Sequence, residues 1–243
     1  MIKSSRVLIT GGVHRLGGGI ALELAEKGVV LGLNYYRTPA DEAKAFAERC
    51  LQAGAEAAHL LQGDVRSEAD AIVERFVKLA GGIDVLINNS GVLPARRKLD
   101  NLEPNDLREA LELNLVAPFA MVRAAAKQMN SGSAIVNLAS LGGVQIWKER
   151  IDYNVSKSAL ITLTKTLARE LAEQCITVNA VAPGAIQLED ESEERMGIAR
   201  ERIPMKRYGT VHDIARVVQF LAFDAPYITG QTIIVDGGRS VMS

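Results

Sequence analysis

With 243 residues, 48% of them hydrophobic, and a net charge of −1, the chain can bury a sizeable core and offers no basic field for nucleic acid or anionic lipid. Its two cysteines, Cys50 and Cys175, and its three histidines form no metal-ligating pattern, so neither a catalytic metal nor an oxidising compartment is expected. No apolar run is long enough to cross a bilayer, and the strand-like run from Arg6 leaves no room for a signal peptide, which points to a cytoplasmic protein.

Residues 6–10 are a short apolar run that stops at Gly11-Gly12 and reads as a buried strand. Residues 16–28 follow at mostly helical spacing, with Gly28 as a stop. Strands are predicted at 29–33, 57–61 and 83–87, and helices at 41–53 and 68–80. Residues 104–115 and 118–129 read as two helices, or as one broken at Pro118. A strand at 134–138, a long helix at 152–173 and a strand at 176–181 come next. The charged stretch 188–203 reads as a mobile flap, followed by a helix at 211–223 and a last strand at 232–235. Alternation with short turns implies right-handed βαβ units: a single α/β domain over 1–243, with a doubly wound parallel sheet of about seven strands and helices on both faces.

Tyr153 and Lys157 are four residues apart and share one face of the long helix. A free tyrosine titrates near pH ~10, and a nearby ammonium favours its phenolate. The pair is therefore a candidate general acid/base. Ser140, at the end of an apolar run upstream, is a candidate companion.

Thr10 to Gly17 joins the first strand to the first helix. Its glycines allow close backbone approach, and the helix start suits a pyrophosphate, with His14 and Arg15 as edge cations. The spacing is not G-x-G-x-x-G. After the second strand an acidic residue would read the ribose 2′-OH of NAD. This chain has Tyr35-Tyr36-Arg37-Thr38, with no carboxylate before Asp41. Arg37 and Thr38 suit a 2′-phosphate instead, so NADP(H) is the expected cofactor.

Together these residues resemble the short-chain dehydrogenase/reductase family over nearly the whole chain. Thr10-Gly11-x-x-x-Arg15-x-Gly17 is similar to its glycine motif, with Arg15 in place of the usual glycine. Asn88-Asn89-Ser90-Gly91 is similar to its Asn-Asn-Ala-Gly motif. Asn114, Ser140, Tyr153 and Lys157 match its catalytic four, and Pro183-Gly184 and Val235-Asp236-Gly237-Gly238 match further motifs. The resemblance implies that Tyr153 protonates the substrate while hydride arrives from nicotinamide. It implies that Lys157 holds the nicotinamide ribose and lowers the pKa of Tyr153. Ser140 would donate to the substrate carbonyl, and Asn114 would organise a helix bend and a water chain behind Lys157. Cofactor contacts are implied for Gly11, His14, Arg15 and Leu16, and for Tyr36, Arg37 and Thr38. They are also implied for Asp64, Val65 and Asn89 around the adenine, for Ser90 and Gly91, and for Tyr153, Lys157, Pro183, Gly184 and Ile186.

The substrate stays open. A generic NADPH-dependent carbonyl reductase is the first reading. Thr10 to Gly17 and Tyr35 to Thr38 also resemble pteridine reductases, although protozoan members have aspartate where this chain has Ser140. The 3-oxoacyl-carrier-protein reductases keep the serine, but this chain lacks basic residues between Lys127 and Lys148. Its flap also carries Glu189, Asp190, Glu191, Glu193 and Glu194, which would repel an acidic carrier. A non-catalytic NADPH sensor would require damage at one of the catalytic four. Finally, the outer face of the long helix holds Val155, Ser158, Ala159, Thr162 and Thr166, small and uncharged. The resemblance then implies a homo-oligomer, dimer or tetramer, through helix 152–173.

Overall fold

In β1 (Arg6–Ile9), Val7 and Ile9 join one hydrophobic cluster and Leu8 joins another, the period-two division of a strand covered on both faces. β4 (Val85–Asn88) and β5 (Ala134–Leu138) divide the same way, with Val85, Ile87, Val136 and Leu138 on one side and Leu86 and Ile135 on the other. The computed structural model describes residues 4–188 and 198–241. Within it, β2 (Val30–Tyr35), β3 (Ala57–Gln62), β6 (Thr177–Pro183) and β7 (Thr232–Val235) complete a seven-stranded parallel sheet in the order β3-β2-β1-β4-β5-β6-β7.

α1 (Arg15–Ala25), α2 (Ala40–Gln52) and α7 (Val211–Phe223) cover one face. α3 (Ala69–Ala80), α5 (Ala117–Ala126) and α6 (Ile151–Leu171) cover the other. Close approach is built in: a Cβ on Gly32 of β2 would lie 2.5 Å from the Phe76 ring of α3. From β1 the chain goes first to β2 and β3, and later returns to β4 on the opposite side. The order therefore reverses between β1 and β4, where open α/β sheets leave a crevice at the carboxyl ends of the strands.

The long helical stretch differs from expectation. α4 (Pro104–Leu111) runs through a π-helical turn, Glu112–Val116, into α5. The irregularity falls just before Pro118, whose missing N–H removes one bond from the helical ladder there. α6 stops at Leu171, short of the expected 173, because a 3₁₀ turn (Ala172–Gln174) and left-handed Cys175 (φ 55°) turn the chain. Of the expected 188–203 flap, 189–197, including its acidic run, lie outside the described residues; Arg200–Arg202 form a 3₁₀ turn. Among the described residues, no helix is long and apolar enough to cross a membrane.

Candidate active site

Two loops are tied together at the crevice. Thr10 Oγ1 accepts from the backbone N–H groups of Asn89 and Ser90, both at 2.9 Å. Asn89 Nδ2 donates back to the carbonyls of Thr10 and Gly11 at 3.0 Å. α1 starts tight against this clamp: a Cβ on Gly17 would lie 2.2 Å from the Gly11 carbonyl oxygen and 2.3 Å from Asn89 Nδ2. No acidic residue occupies the first turn of α1.

A cavity of about 630 Å³ opens beside the clamp, within the ~300–1,000 Å³ range of small-molecule sites. Most residues expected to meet a cofactor line it: Gly11, His14, Arg15, Leu16, Tyr36, Arg37, Asp64, Val65, Asn89, Ser90, Gly91, Tyr153 and Lys157. Thr38, the last residue of the bend that leads into α2, does not. Arg37 lies over the Tyr36 ring, 5.3 Å from its centroid. Arg66 also lines the cavity and was missed, although it follows Asp64-Val65 directly. Its Nε donates to both Asp64 oxygens at 3.0 Å. This bond with Arg66, against the opposing effect of burial, holds the Asp64 carboxyl below the usual carboxylate range.

Asn114 is fully buried and sits in the π-helical turn, where a single wide turn re-aims its side chain. Its Oδ1 accepts from Val92 N–H at 2.8 Å. Its Nδ2 donates to the Val92 carbonyl at 2.9 Å and to Ser156 Oγ at 3.0 Å. Ser156, a second residue the sequence left without a role, donates onward to the Tyr153 carbonyl at 2.9 Å. Gly91 makes room: a Cβ there would lie 2.9 Å from Asn114 Oδ1 and 3.4 Å from Lys157 Nζ.

Ser140 lies two residues beyond β5 and caps a 3₁₀ turn, its Oγ accepting from Gly142 N–H at 3.1 Å. Tyr153 is buried in the first turn of α6 and stacks on Trp147, with ring centroids 6.1 Å apart. Burial pushes the Tyr153 hydroxyl above its ordinary pKa; a hydrogen bond with Ser140 and the charge of Arg150 pull it back. Arg150 is thus a cation near Tyr153 that the helical spacing did not indicate. Lys157 Nζ is directed at the Leu138 carbonyl, 2.8 Å away, and burial lowers its pKa to about 8.

A second cavity, about 870 Å³, meets the first at Tyr153. Ser140 lines it, as do Pro183, Gly184 and Ile186, so these three belong to this side of the crevice. Trp147, Arg150 and Arg239 also line it and carried no sequence signal, because they lie on separate irregular segments.

A doubly wound sheet with a clamped crevice and a buried Ser, Tyr and Lys at its mouth defines a Rossmann-type oxidoreductase domain. The chain belongs to the short-chain dehydrogenase/reductase family. A family profile described as enoyl-(acyl carrier protein) reductase matches residues 12–240. The 3-oxoacyl-[acyl-carrier-protein] reductase of Staphylococcus epidermidis is 38% identical, with 95% of this chain and 97% of that protein covered. Two solved structures, each 31% identical, are a blue fluorescent protein from a metagenomic library in complex with NADPH and an NADH-dependent reductase of alginate metabolism, A1-R′. The first has a TM-score of 0.91 and covers 98% of this chain and 99% of that one. The second has a TM-score of 0.88 and covers 98% of each chain.

Proposed function

We propose that the protein is an NADPH-dependent reductase that converts a carbonyl of a small substrate to an alcohol, with Tyr153 as the proton donor. The observation that carries this reading is that Tyr153 lines both cavities, so a reductant in one and a carbonyl in the other meet at its hydroxyl. The first cavity fits a phosphorylated dinucleotide. The start of α1 with His14 and Arg15 suits the pyrophosphate, and Arg37 and Arg66 suit a 2′-phosphate. Asp64 is occupied by Arg66 and is a poor reader of a free ribose hydroxyl. Because similar structures include both an NADPH complex and an NADH-dependent enzyme, the preference for NADPH rests on these arginines rather than on the fold.

The dinucleotide, when bound, supplies the hydride. Ser140 and Tyr153 hold the carbonyl oxygen, and Tyr153 gives up its proton as negative charge develops there. Burial keeps that proton in place at neutral pH, while Ser140 and Arg150 favour its release in the reaction. Lys157 holds the nicotinamide ribose. Asn114 fixes Val92 and, through Ser156, the first turn of α6. Turnover of NADPH with a panel of ketones tests the reading: Tyr153→Phe should lose nearly all of it while still binding NADPH. A Phe variant that retains turnover overturns the assignment.

A 3-oxoacyl thioester substrate is the second reading, favoured by the 38% identical relative and by serine at position 140.

The protein further forms a homo-oligomer through α6. Val155, Thr162 and Thr166 are exposed, while Ser158 and Ala159 are half-buried, with Ser158 bonded to the Gly143 carbonyl at 2.9 Å, so most of this small, uncharged face is open. A helix that only shields a sheet carries charge on its outer face.

A further inference from the structure

The second cavity has a charge bias that carbonyl reduction alone does not require. Arg96, Lys148, Arg150, Arg202 and Arg239 line it together with Arg15, and no acidic side chain among the described residues does. The bias is local, since the whole chain is at −1. It also surrounds the reacting end of the site. Arg239 lies over the Trp147 ring, 5.3 Å from its centroid, and the other side of the same contact chain is Tyr153, stacked on Trp147 at 6.1 Å. Burial and the charge of Arg96 both disfavour the charge of Arg150, outweighing Asp152, which favours it. Arg150 meets the Pro94 carbonyl, a neutral partner. Asp236 acts on the charge of Arg239, and its two carboxylate oxygens already accept from the backbone N–H groups of Gly238 and Ser240. Among the described residues, no carboxylate forms a salt bridge with Arg96, Arg150, Arg202 or Arg239.

Like charges gathered in a partly buried cleft repel one another, and a cleft lined by one sign of charge concentrates ions of the other. Guanidinium groups remain charged when crowded and present paired donors suited to carboxylate and phosphate. We propose that the substrate of this reductase is itself an anion: a carbonyl compound bearing an oxyanion group, carboxylate or phosphate, held by Arg96 and Arg239 while its carbonyl faces Ser140 and Tyr153. This rests on the reductase reading above and specifies its substrate class.

The test uses acetophenones with one carbonyl and different groups at the far end: 4-acetylbenzoate, 4-acetylphenyl phosphate, neutral methyl 4-acetylbenzoate and cationic 4-acetyl-N,N,N-trimethylanilinium. Initial rates of NADPH oxidation give kcat/KM for each. Either anion should exceed the methyl ester by at least about tenfold, mainly through KM, with the cation lowest. Comparing carboxylate with phosphate shows which oxyanion is preferred. Added salt should shrink the gap. Arg96→Gln and Arg239→Gln should each remove much of the anion preference and leave the methyl ester within about twofold. Equal rates for anion and ester overturn the inference and leave the reductase reading standing; that outcome also covers neutralisation of the cluster by other carboxylates of the chain. No turnover of any of the four, despite NADPH binding, counts against the reductase reading itself.

Discussion

Asn114 and Val92 exchange two hydrogen bonds, side-chain oxygen to backbone N–H and side-chain amide to backbone carbonyl, behind the part of the first cavity that Val92 lines. The pair holds the segment after β4 against the π-helical turn, and Ser156 extends it into α6. Asn114→Ala leaves three polar groups to find new partners. It should destabilise the fold by about 2 kcal/mol, read from urea unfolding, and should lower kcat. Unchanged stability would mean that water replaces the amide without cost.

Tyr153→Phe removes one hydroxyl from a ring that stays stacked on Trp147. Turnover should fall by about 10²–10⁴-fold, the range of a lost general acid. NADPH binding, followed by fluorescence, should stay within a few-fold of the parent.

Arg37→Ala should weaken NADPH by roughly tenfold or more, as expected for a lost charge-assisted contact, and leave NADH nearly unchanged. Arg66→Ala should act more strongly, because it also frees Asp64 to repel a phosphate. Fluorescence titration with both cofactors checks this. Equal losses for NADPH and NADH would remove the 2′-phosphate from the explanation.

Lys157 makes stability depend on pH in a definite direction. Burial lowers its pKa from 10.5 to about 8, so the unfolded chain keeps that proton to higher pH than the folded one. The charged, buried lysine is a burden at all pH values below about 8. The burden lifts as pH rises from about 8 towards 10.5, because stability increases wherever the unfolded state binds more protons. Relative to the parent, Lys157→Met should therefore gain most at pH 7 and progressively less above pH 8 in thermal melts, while losing activity throughout. A difference in Tm that does not change with pH would contradict it.

Thr162→Glu places charge on the exposed face of α6 and should dissociate the oligomer. Light scattering on parent and variant at micromolar concentration decides it: a monomeric parent ends the proposal.

Much of this was legible in the chain, for reasons that also explain the gaps. Strands buried on both faces are nearly continuous apolar runs, and the glycines and asparagines that close them mark the crevice, so β1, β4 and β5 and the residues after them could be found. The π-helical turn could not, because apolar spacing runs through 104–126 with no mark at its extra residue. Tyr153 and Lys157 were paired by their helical spacing, yet sharing a face does not fix where a long side chain ends, and Nζ turns to Leu138. Arg96, Arg150 and Arg239 have no common period: three separate segments bring them to one cavity, and only the folded chain shows them as neighbours.

The reversal of strand order between β1 and β4 also divides the polypeptide lengthwise. The first cavity takes most of its wall from residues 11–93, and the second takes most of its wall from residues after 139, with Arg15, Leu16, Leu93, Ala139 and Tyr153 common to both. Drift in the carboxyl-terminal half can therefore reshape most of the second cavity while Arg37 and Arg66 stay in place. A chimera joined within β5, carrying the downstream half of a relative, would keep Arg37 and Arg66 and with them this chain's choice of reductant, and would exchange the substrate wall except for Leu93, Arg96 and the start of α1.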